Sequence, residues 1–212
     1  MKKRRAAITI ALVGVMLLFS ENHVNSAPAF SFYQRGTLKL KTAFGTGNYE
    51  EALEELNKAI EQYPNYSDAF FVRGDIKNLK GDTIGAIYDY SKGLKIEPNN
   101  AIYMYYRANL NRKVGDIQEA LKDYKKSIKL YPKNYLAYFN RGSVYLKSGY
   151  INLATKDFDQ TIKIEPNFIG AYILRAKLKH QAKDIQSACK DWKIASKLGH
   201  ADSSKMMRSN CK

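Results

Sequence analysis

Side chains that could carry out catalytic chemistry are few in this sequence and are not grouped. Histidine, the usual acid or base near neutral pH, occurs three times in the 212 residues. His180 has no HExxH, CxxC or paired-carboxylate pattern around it, and no phosphate-binding glycine loop or Ser-His-Asp order is present. The sequence therefore predicts a protein that is not an enzyme, holds no cofactor or metal, and carries His180 as a polar surface residue.

Arginine and acidic residues recur in two matched series with a spacing of 34 residues. The arginines are Arg73, Arg107, Arg141 and Arg175. The acids are Glu55, Asp89, Asp123, Asp157 and Asp191. One interpretation is a ladder of guanidinium groups that binds carboxylate or phosphate ligands. We favour a ladder of salt bridges between helices, because pairing is how such charges tolerate partial burial.

The chain has two cysteines, Cys189 and Cys211. In an oxidising compartment a pair of cysteines has one possible connectivity. A disulfide between them would fasten the C-terminal residues to the last long helix, and closing a loop of this length contributes about 3 kcal/mol in the chain-entropy model.

The N-terminus has the charged, apolar and polar order of a secretory signal peptide. Bases at residues 2–5 precede an apolar run from Ala6 to Phe19, which is short for a bilayer span. Val24 and Ser26 suit a cleavage site after Ser26. We therefore expect a signal peptide over residues 1–26 and export to a bacterial periplasm or an equivalent lumen. The alternative is an uncleaved signal anchor that tethers the chain to a membrane.

A period of 34 residues also appears in four other residue types. The prolines are Pro64, Pro98, Pro132 and Pro166. The alanines are Ala52, Ala86, Ala120, Ala154 and Ala188. The glycines are Gly47, Gly81, Gly115 and Gly149. The aromatic residues are Tyr90, Tyr124, Phe158 and Trp192. Four series in one register indicate an internal repeat.

Each residue type suits one position in a helical hairpin. Glycine followed by aspartate, as at Gly115 and Asp116, ends one helix and starts the next, since glycine accepts the left-handed conformation and aspartate caps an N-terminus. The alanine allows the two helices to approach closely, and the aromatic residue four positions later lies on the same face. The proline marks the end of the second helix.

These residues resemble the tetratricopeptide repeat, in which a first helix with a small residue is followed by Ala-x3-aromatic and a closing proline. The resemblance covers residues 33–200 and implies an all-α fold, a right-handed α-solenoid. We expect a linker at 27–32, five repeats and a C-terminal capping helix within 201–212. The expected repeats are 33–66, 67–100, 101–134, 135–168 and 169–200.

The first and last repeats depart from the pattern. The first has Leu40 where a small residue is expected and Leu56 in place of the aromatic residue, so the register of its first helix is open. The last has Lys183 for the turn glycine and His200 for the proline. Atypical end repeats are expected, because each covers an apolar face that would otherwise be exposed.

The resemblance also implies a ligand groove lined by the first helices of the repeats. Its fifth helical positions form an apolar stripe: Phe71, Tyr105, Phe139 and Ile173. Positions nine, twelve and thirteen add a polar and mostly basic margin: Asn78, Asn109, Arg112, Lys113, Ser143, Lys147 and Lys177. The same positions also include Asp75 and His180. The other interpretation of the aromatic residues is packing between neighbouring first helices.

The net charge bears on the kind of partner. The formal charge of +15 becomes +12 once four bases and one acid of residues 1–26 are removed. We therefore predict a scaffold that binds an acidic protein or peptide in its groove. A more specific alternative is an assembly factor for an envelope or photosynthetic membrane complex. A second is a basic peripheral membrane or nucleic-acid binder, although an exported protein is not expected to meet nucleic acid.

Overall fold

The computed structural model describes residues 27–43 and 47–211, and the secondary structure of these residues is helical throughout. The predicted signal peptide and its cleavage site after Ser26 lie outside the described residues. The described helices are α1 Ala27–Ala43, α2 Glu50–Gln62, α3 Ser67–Leu79, α4 Thr83–Ile96, α5 Ala101–Val114, α6 Ile117–Leu130, α7 Tyr135–Lys147, α8 Ile151–Ile164, α9 Ile169–Gln181, α10 Ile185–Lys197 and α11 Ala201–Asn210. The all-α repeat fold expected from the sequence is confirmed.

The chain forms two compact units, one ending at Pro64 and the other beginning at Asn65. Unit 1 contains α1 and α2, which pack against each other. Unit 2 contains four hairpins, α3–α4, α5–α6, α7–α8 and α9–α10, and the terminal helix α11. We call α3, α5, α7 and α9 the first helices of unit 2, and α4, α6, α8 and α10 its second helices.

The hairpin turns follow the residue pattern of the sequence. Gly115 has φ 89°, and the N–H of Asp116 donates to the carbonyl of Asn111 at 2.9 Å, which closes the end of α5. The Asp116 side chain then accepts from the N–H of Glu119 and caps α6. Lys183 takes the same place in the last hairpin with φ 62°, a conformation that costs a side-chain-bearing residue about 1 kcal/mol.

The core of unit 2 lies between its helices at the repeated alanine and aromatic positions. The four alanines of the Ala-x3-aromatic pattern in the second helices are fully buried: Ala86, Ala120, Ala154 and Ala188. Tyr124 and Phe158 are also fully buried, and Trp192 is 6% exposed. Each aromatic ring needs a small residue on the first helix of its hairpin, and a Cβ on Gly74 would lie 2.7 Å from the Tyr90 ring.

The structure of unit 1 settles the register of its first helix, which the sequence leaves open. Gly36, and not Leu40, faces Leu56, and a Cβ on Gly36 would lie 2.9 Å from Leu56 Cγ. Leu40 is buried one turn further along the same face. Residues 27–32, expected as a linker, belong to α1.

No helix among the described residues is both long enough and apolar enough to cross a membrane.

Candidate binding surface of the first helices

The arginine series forms the predicted ladder of salt bridges. Each of the four arginines in the series pairs with the aspartate 16 residues later, within one hairpin. The shortest N–O distances are 2.7 Å for Arg73–Asp89, 2.7 Å for Arg107–Asp123, 2.8 Å for Arg141–Asp157 and 2.6 Å for Arg175–Asp191. The aspartates are buried, so the structural interpretation is confirmed and these guanidinium groups are engaged within the protein.

The fifth helical positions do not form a continuous exposed stripe. Phe71 is 1% exposed, its ring stacks on Tyr103 with centroids 3.8 Å apart, and Gly93 makes room for it. A ligand therefore cannot reach Phe71 without displacing the core between α3, α4 and α5. The expected groove loses its first apolar contact for this reason.

Tyr105, Phe139 and Ile173 are half-buried. The Tyr105 ring lies 6.3 Å from that of Tyr124, and burial raises the pKa of its hydroxyl. Phe139 makes an edge contact with Phe168 at 4.8 Å and packs near Gly170. Tyr105 and Phe139 thus pack between successive repeats, as in the alternative interpretation, and are only partly accessible.

Two of the expected polar margin residues make hydrogen bonds within the protein. The Asn109 carbonyl accepts from the Tyr124 hydroxyl at 2.6 Å and from the Asn140 amide at 2.9 Å. The same Asn140 amide donates to the Tyr105 hydroxyl at 3.1 Å. The Ser143 hydroxyl donates to the carbonyl of Phe139 at 2.8 Å. Asn109 and Ser143 therefore stabilise the packing of the first helices.

The remaining margin residues are exposed: Asn78, Arg112, Lys113, Lys147 and Lys177. Lys113 donates to the Thr83 hydroxyl at 3.0 Å. In the described part of the chain none of these four cations enters an ion pair. They therefore present positive charge along three successive first helices, α5, α7 and α9.

Asp75, which the sequence places at a groove position equivalent to that of Asn109, is a buried carboxyl on α3. It accepts from the hydroxyls of Tyr90 at 2.5 Å and Tyr103 at 3.2 Å. Burial raises the pKa of Asp75 to about 7, although the two hydrogen bonds act to lower it. A signal for this site was present, because Asp75 and Asn109 occupy equivalent positions and each lies 15 residues before a tyrosine.

The two histidines of the last repeat contact α11 or cap it. His180 is half-buried, its ring centroid lies 5.4 Å from that of Trp192, and its Nε2 is 3.2 Å from the Asn210 side chain. Nδ1 of His200 accepts from the N–H of Ser203 and caps α11. His180 thus packs at the end of the array and is less exposed than a surface residue.

The C-terminal cysteines are bridged in the structure. Cys189 of α10 and Cys211, directly after α11, form a disulfide with a Cα–Cα distance of 5.8 Å. Both cysteines and Met207 pack against the cluster of Ala176, Ala188 and Trp192. Among residues 27–43 and 47–211, no group of three or more His, Cys, Asp or Glu side chains is placed to hold a metal ion.

Solved structures with the same fold include several bacterial proteins. MamA from Desulfovibrio magneticus RS-1 is 18% identical over 82% of this chain and 97% of its own, with a TM-score of 0.72. YrrB, described as a TPR protein with an unusual peptide-binding site, is 17% identical over 87% and 94%, with a TM-score of 0.73. PilF of Pseudomonas aeruginosa is 20% identical over 83% and 79%, with a TM-score of 0.68. These similarities show the fold.

Family models match most of the repeat region. Two models described as tetratricopeptide repeat match residues 38–102 and 135–168, and one described as TPR repeat matches residues 108–149. No curated protein sequence matches this chain. The tetratricopeptide repeat is a non-catalytic fold that generally mediates protein–protein interaction. From its repeats, its hairpins and these matches, the chain belongs to the tetratricopeptide-repeat family.

Proposed function

We propose that the chain is a non-catalytic scaffold whose first helices in unit 2 bind an acidic peptide segment of a partner protein. The observation that carries this proposal is the row of exposed cations Arg112, Lys113, Lys147 and Lys177, which runs over three successive hairpins without acidic partners among the described residues. An extended or helical peptide with carboxylates at intervals would pair with them.

The apolar part of the site is smaller than the sequence suggests. Phe71 is enclosed, while Tyr105 and Phe139 offer only part of their rings. The proposed ligand is therefore held mainly by charge, with one or two apolar side chains against these rings. YrrB, which has the same fold and is described as having an unusual peptide-binding site, supports the idea that this architecture can accommodate a peptide.

The proposed setting is outside the cytoplasm, and the charged and apolar order of residues 1–19 supports it. N-terminal sequencing of the protein from its native host tests this part. A mature chain that starts near Ala27 agrees with export and cleavage, whereas recovery of Met1 in the membrane fraction would indicate a signal anchor.

Peptide display tests the binding surface without knowledge of the partner. Random peptides of about 12 residues are selected on the immobilised chain, and we expect enrichment of Asp and Glu. The variant Arg112→Glu with Lys147→Glu should lose these peptides and select basic ones. The matched control is Lys129→Glu with Lys163→Glu on the second helices, which changes the net charge equally and should keep the original preference.

Charge reversal is a better test here than removal of the aromatic rings. Replacing Tyr105 or Phe139 by Ala would open cavities between repeats, so a loss of binding would not separate recognition from folding. If the Arg112→Glu and Lys147→Glu variant selects the same acidic peptides as the unchanged chain, the first-helix surface is not the binding site.

A further inference from the structure

The second helices of unit 2 are rich in lysine, and these lysines take no part in the proposed peptide binding by the first helices. Helices α4, α6, α8 and α10 contain eleven lysines and no arginine. The arginines of the four hairpins lie on the first helices, and all but Arg112 pair with buried aspartates. Arginine thus makes the planar, two-nitrogen contacts with the buried aspartates, and every basic residue of the second helices is a lysine.

Two lysine series lie opposite the buried face of the second helices. They stand two and nine residues after the buried alanine of each helix. At 3.6 residues per turn these offsets are about 200° and 180° around the helix from that alanine. The outer lysine face consists of Lys122, Lys156 and Lys190 in one series and Lys95, Lys129, Lys163 and Lys197 in the other, all exposed.

Little acidic charge balances this face. The four aspartates of the ladder point into the protein, and Asp159 pairs with Arg175, so Glu119, which pairs with Lys122, is the one acid of these helices that neutralises a lysine of this face. Within the described residues, Lys95, Lys129, Lys163 and Lys197 make no ion pair. Substituting them therefore removes surface charge and leaves the packing unchanged.

Unit 1 has the opposite charge at the equivalent positions. Glu54 and Glu61 of α2 correspond by the 34-residue period to the two lysine series. Both are exposed, and α2 carries Glu50 and Glu51 in its first turn as well. The lysines are thus a property of the unit 2 hairpins and do not belong to the repeat pattern itself.

We propose that the outer lysine face of unit 2 binds the anionic surface of a lipid bilayer. The charges are spread over four hairpins, and the two series are about 10 Å apart along each helix at 1.5 Å per residue. Such a spread suits mobile phosphate headgroups, which rearrange to meet it, because lysine acts as a point charge that needs no planar partner. Exposed Leu130 and Tyr131 follow Lys129 and supply apolar and aromatic contacts of the kind found at bilayer interfaces.

This surface is separate from the one proposed for peptide binding, so the two can fail independently. The test uses the full chain and co-sedimentation with two sets of vesicles, one of phosphatidylcholine alone and one with about one third phosphatidylglycerol. The phosphatidylcholine vesicles measure any binding by the apolar run of residues 6–19, and the bases at residues 2–5, which do respond to headgroup charge, are the same in every variant compared.

The decisive variant carries K95E, K129E, K163E and K197E. Each lysine near an anionic surface contributes roughly a fivefold change in partition, so this variant should lose at least a hundredfold in binding to the anionic vesicles. The matched control, R112E, K113E, K147E and K177E, makes the same change in net charge on the first helices and should lose far less. Added salt should weaken binding of the unchanged chain in the same way as the lysine variant.

Three results would overturn the proposal. Equal loss in the two variants would mean that net charge alone attracts the chain to vesicles. Equal binding of the unchanged chain to both sets of vesicles would mean that the lysines have no part. Binding to poly-glutamate through these lysines, with none to anionic vesicles, would assign the face to an acidic polypeptide. Circular dichroism of both variants establishes that they are folded.

Discussion

The hairpin of unit 1 and the hairpins of unit 2 build the same contacts at different sequence separations. In unit 2 the arginine precedes its aspartate by 16 residues, whereas Arg35 pairs with Glu55 across 20 residues in unit 1. The small residue that faces the bulky side chain shows the same shift, because Gly36 lies 20 residues before Leu56 and Gly74 lies 16 before Tyr90. The hairpin geometry is therefore kept while the sequence period is broken.

The connecting segments account for the shift. Helix α1 ends at Ala43 and α2 begins at Glu50, whereas α3 ends at Leu79 and α4 begins at Thr83. Because of the longer connection, the contacting residues of α1 lie about one helical turn earlier in the sequence. A shift of one turn keeps them on the helix face that packs against α2. The salt bridge and the glycine contact are therefore shifted by the same number of residues, because both depend on which residues lie on the packed face of the helix.

The largest difference between the units should appear in their salt bridges. The Asp123 side chain is 1% exposed, and Arg107 pairs with it through two nitrogens. Arg107→Met leaves this carboxylate buried, so we expect a loss of about 3 to 5 kcal/mol in the free energy of unfolding, measured by urea denaturation. Arg35 is 45% exposed, and Arg35→Met should cost at most about 1 kcal/mol.

Arg73→Met provides the control within unit 2. Lys77 lies 2.8 Å from the partner aspartate Asp89 and remains after the substitution, so the cost should be smaller than for Arg107→Met. Equal losses at Arg107 and Arg35 would show that the exposure of the arginine does not determine the cost.

The second difference concerns the polar residue opposite the aromatic side chain. In unit 2, Asp75 accepts from Tyr90, whereas unit 1 has Leu56 without a hydroxyl, and Thr37 bonds the carbonyl of Gln34 in its own helix. Because burial raises the pKa of Asp75 to about 7, the folded protein holds a proton there that the unfolded chain has released above its ordinary pKa of 3.8. The contribution of Asp75 to stability is therefore largest in acid and falls as the pH rises towards 7.

Asp75→Asn should remove this pH dependence while keeping an acceptor for Tyr90, as Asn109 does for Tyr124. We expect the variant to gain about 2 to 3 kcal/mol relative to the unchanged chain between about pH 5 and about pH 8. The groups nearest the carboxyl are the hydroxyls of Tyr90 and Tyr103, with Tyr106 close by, and burial raises the pKa of Tyr90 and of Tyr106 further above this range. A constant difference in unfolding free energy across this range would contradict the raised pKa.

Glycine substitutions should separate rigid from adaptable packing. A Cβ on Gly93 would lie 2.3 Å from the Phe71 ring, which cannot move away because it stacks on Tyr103. Gly93→Ala should therefore cost about 1 to 3 kcal/mol in urea denaturation. Gly36→Ala in unit 1 would place the Cβ 2.9 Å from Leu56 Cγ and 3.3 Å from the carbonyl of Ala52, a milder overlap, and the gain in helix propensity should bring its net cost below that of Gly93→Ala. A similar cost at both positions would mean that Leu56 is held as rigidly as Phe71.

The 34-residue period was sufficient to predict the hairpins and the salt-bridge ladder, because both depend on which residues share a helix face. The period places Lys39 at the position of the paired arginines, but Glu55 pairs with Arg35. The period does not show this shift, because the shift comes from the longer connection between α1 and α2. The period also could not show that the Phe71 side chain is buried between its neighbours. That outcome depends on Gly93, which admits the ring, and on Tyr103, a residue outside the four main series.

The smallest expected effect concerns the start of the second helix. Asp82, Asp116 and Asp184 cap their helices in unit 2, but Tyr150 stands at the equivalent position of α8 and gives no side-chain cap. Helix α2 of unit 1 also begins after a tyrosine, Tyr49, without a side-chain cap. The first turn of α2 contains Glu50 and Glu51, whereas the first turn of α8 contains no acid to offset the helix dipole.

Tyr150→Asp should therefore stabilise the protein by about 1 kcal/mol, and Tyr49→Asp by less, because the new carboxylate at residue 49 would repel two neighbouring glutamates. Tyr150 is 57% exposed, and its substitution removes an edge contact with the Tyr145 ring, with centroids 6.2 Å apart. The stabilisation by the new cap must exceed the loss of this contact. Tyr150→Ala removes the ring without adding a cap, so the difference between the Asp and Ala variants in thermal unfolding isolates the cap. If both variants at residue 150 are equally destabilised, the aspartate at this position adds no cap, and the tyrosine is retained for its contact with Tyr145.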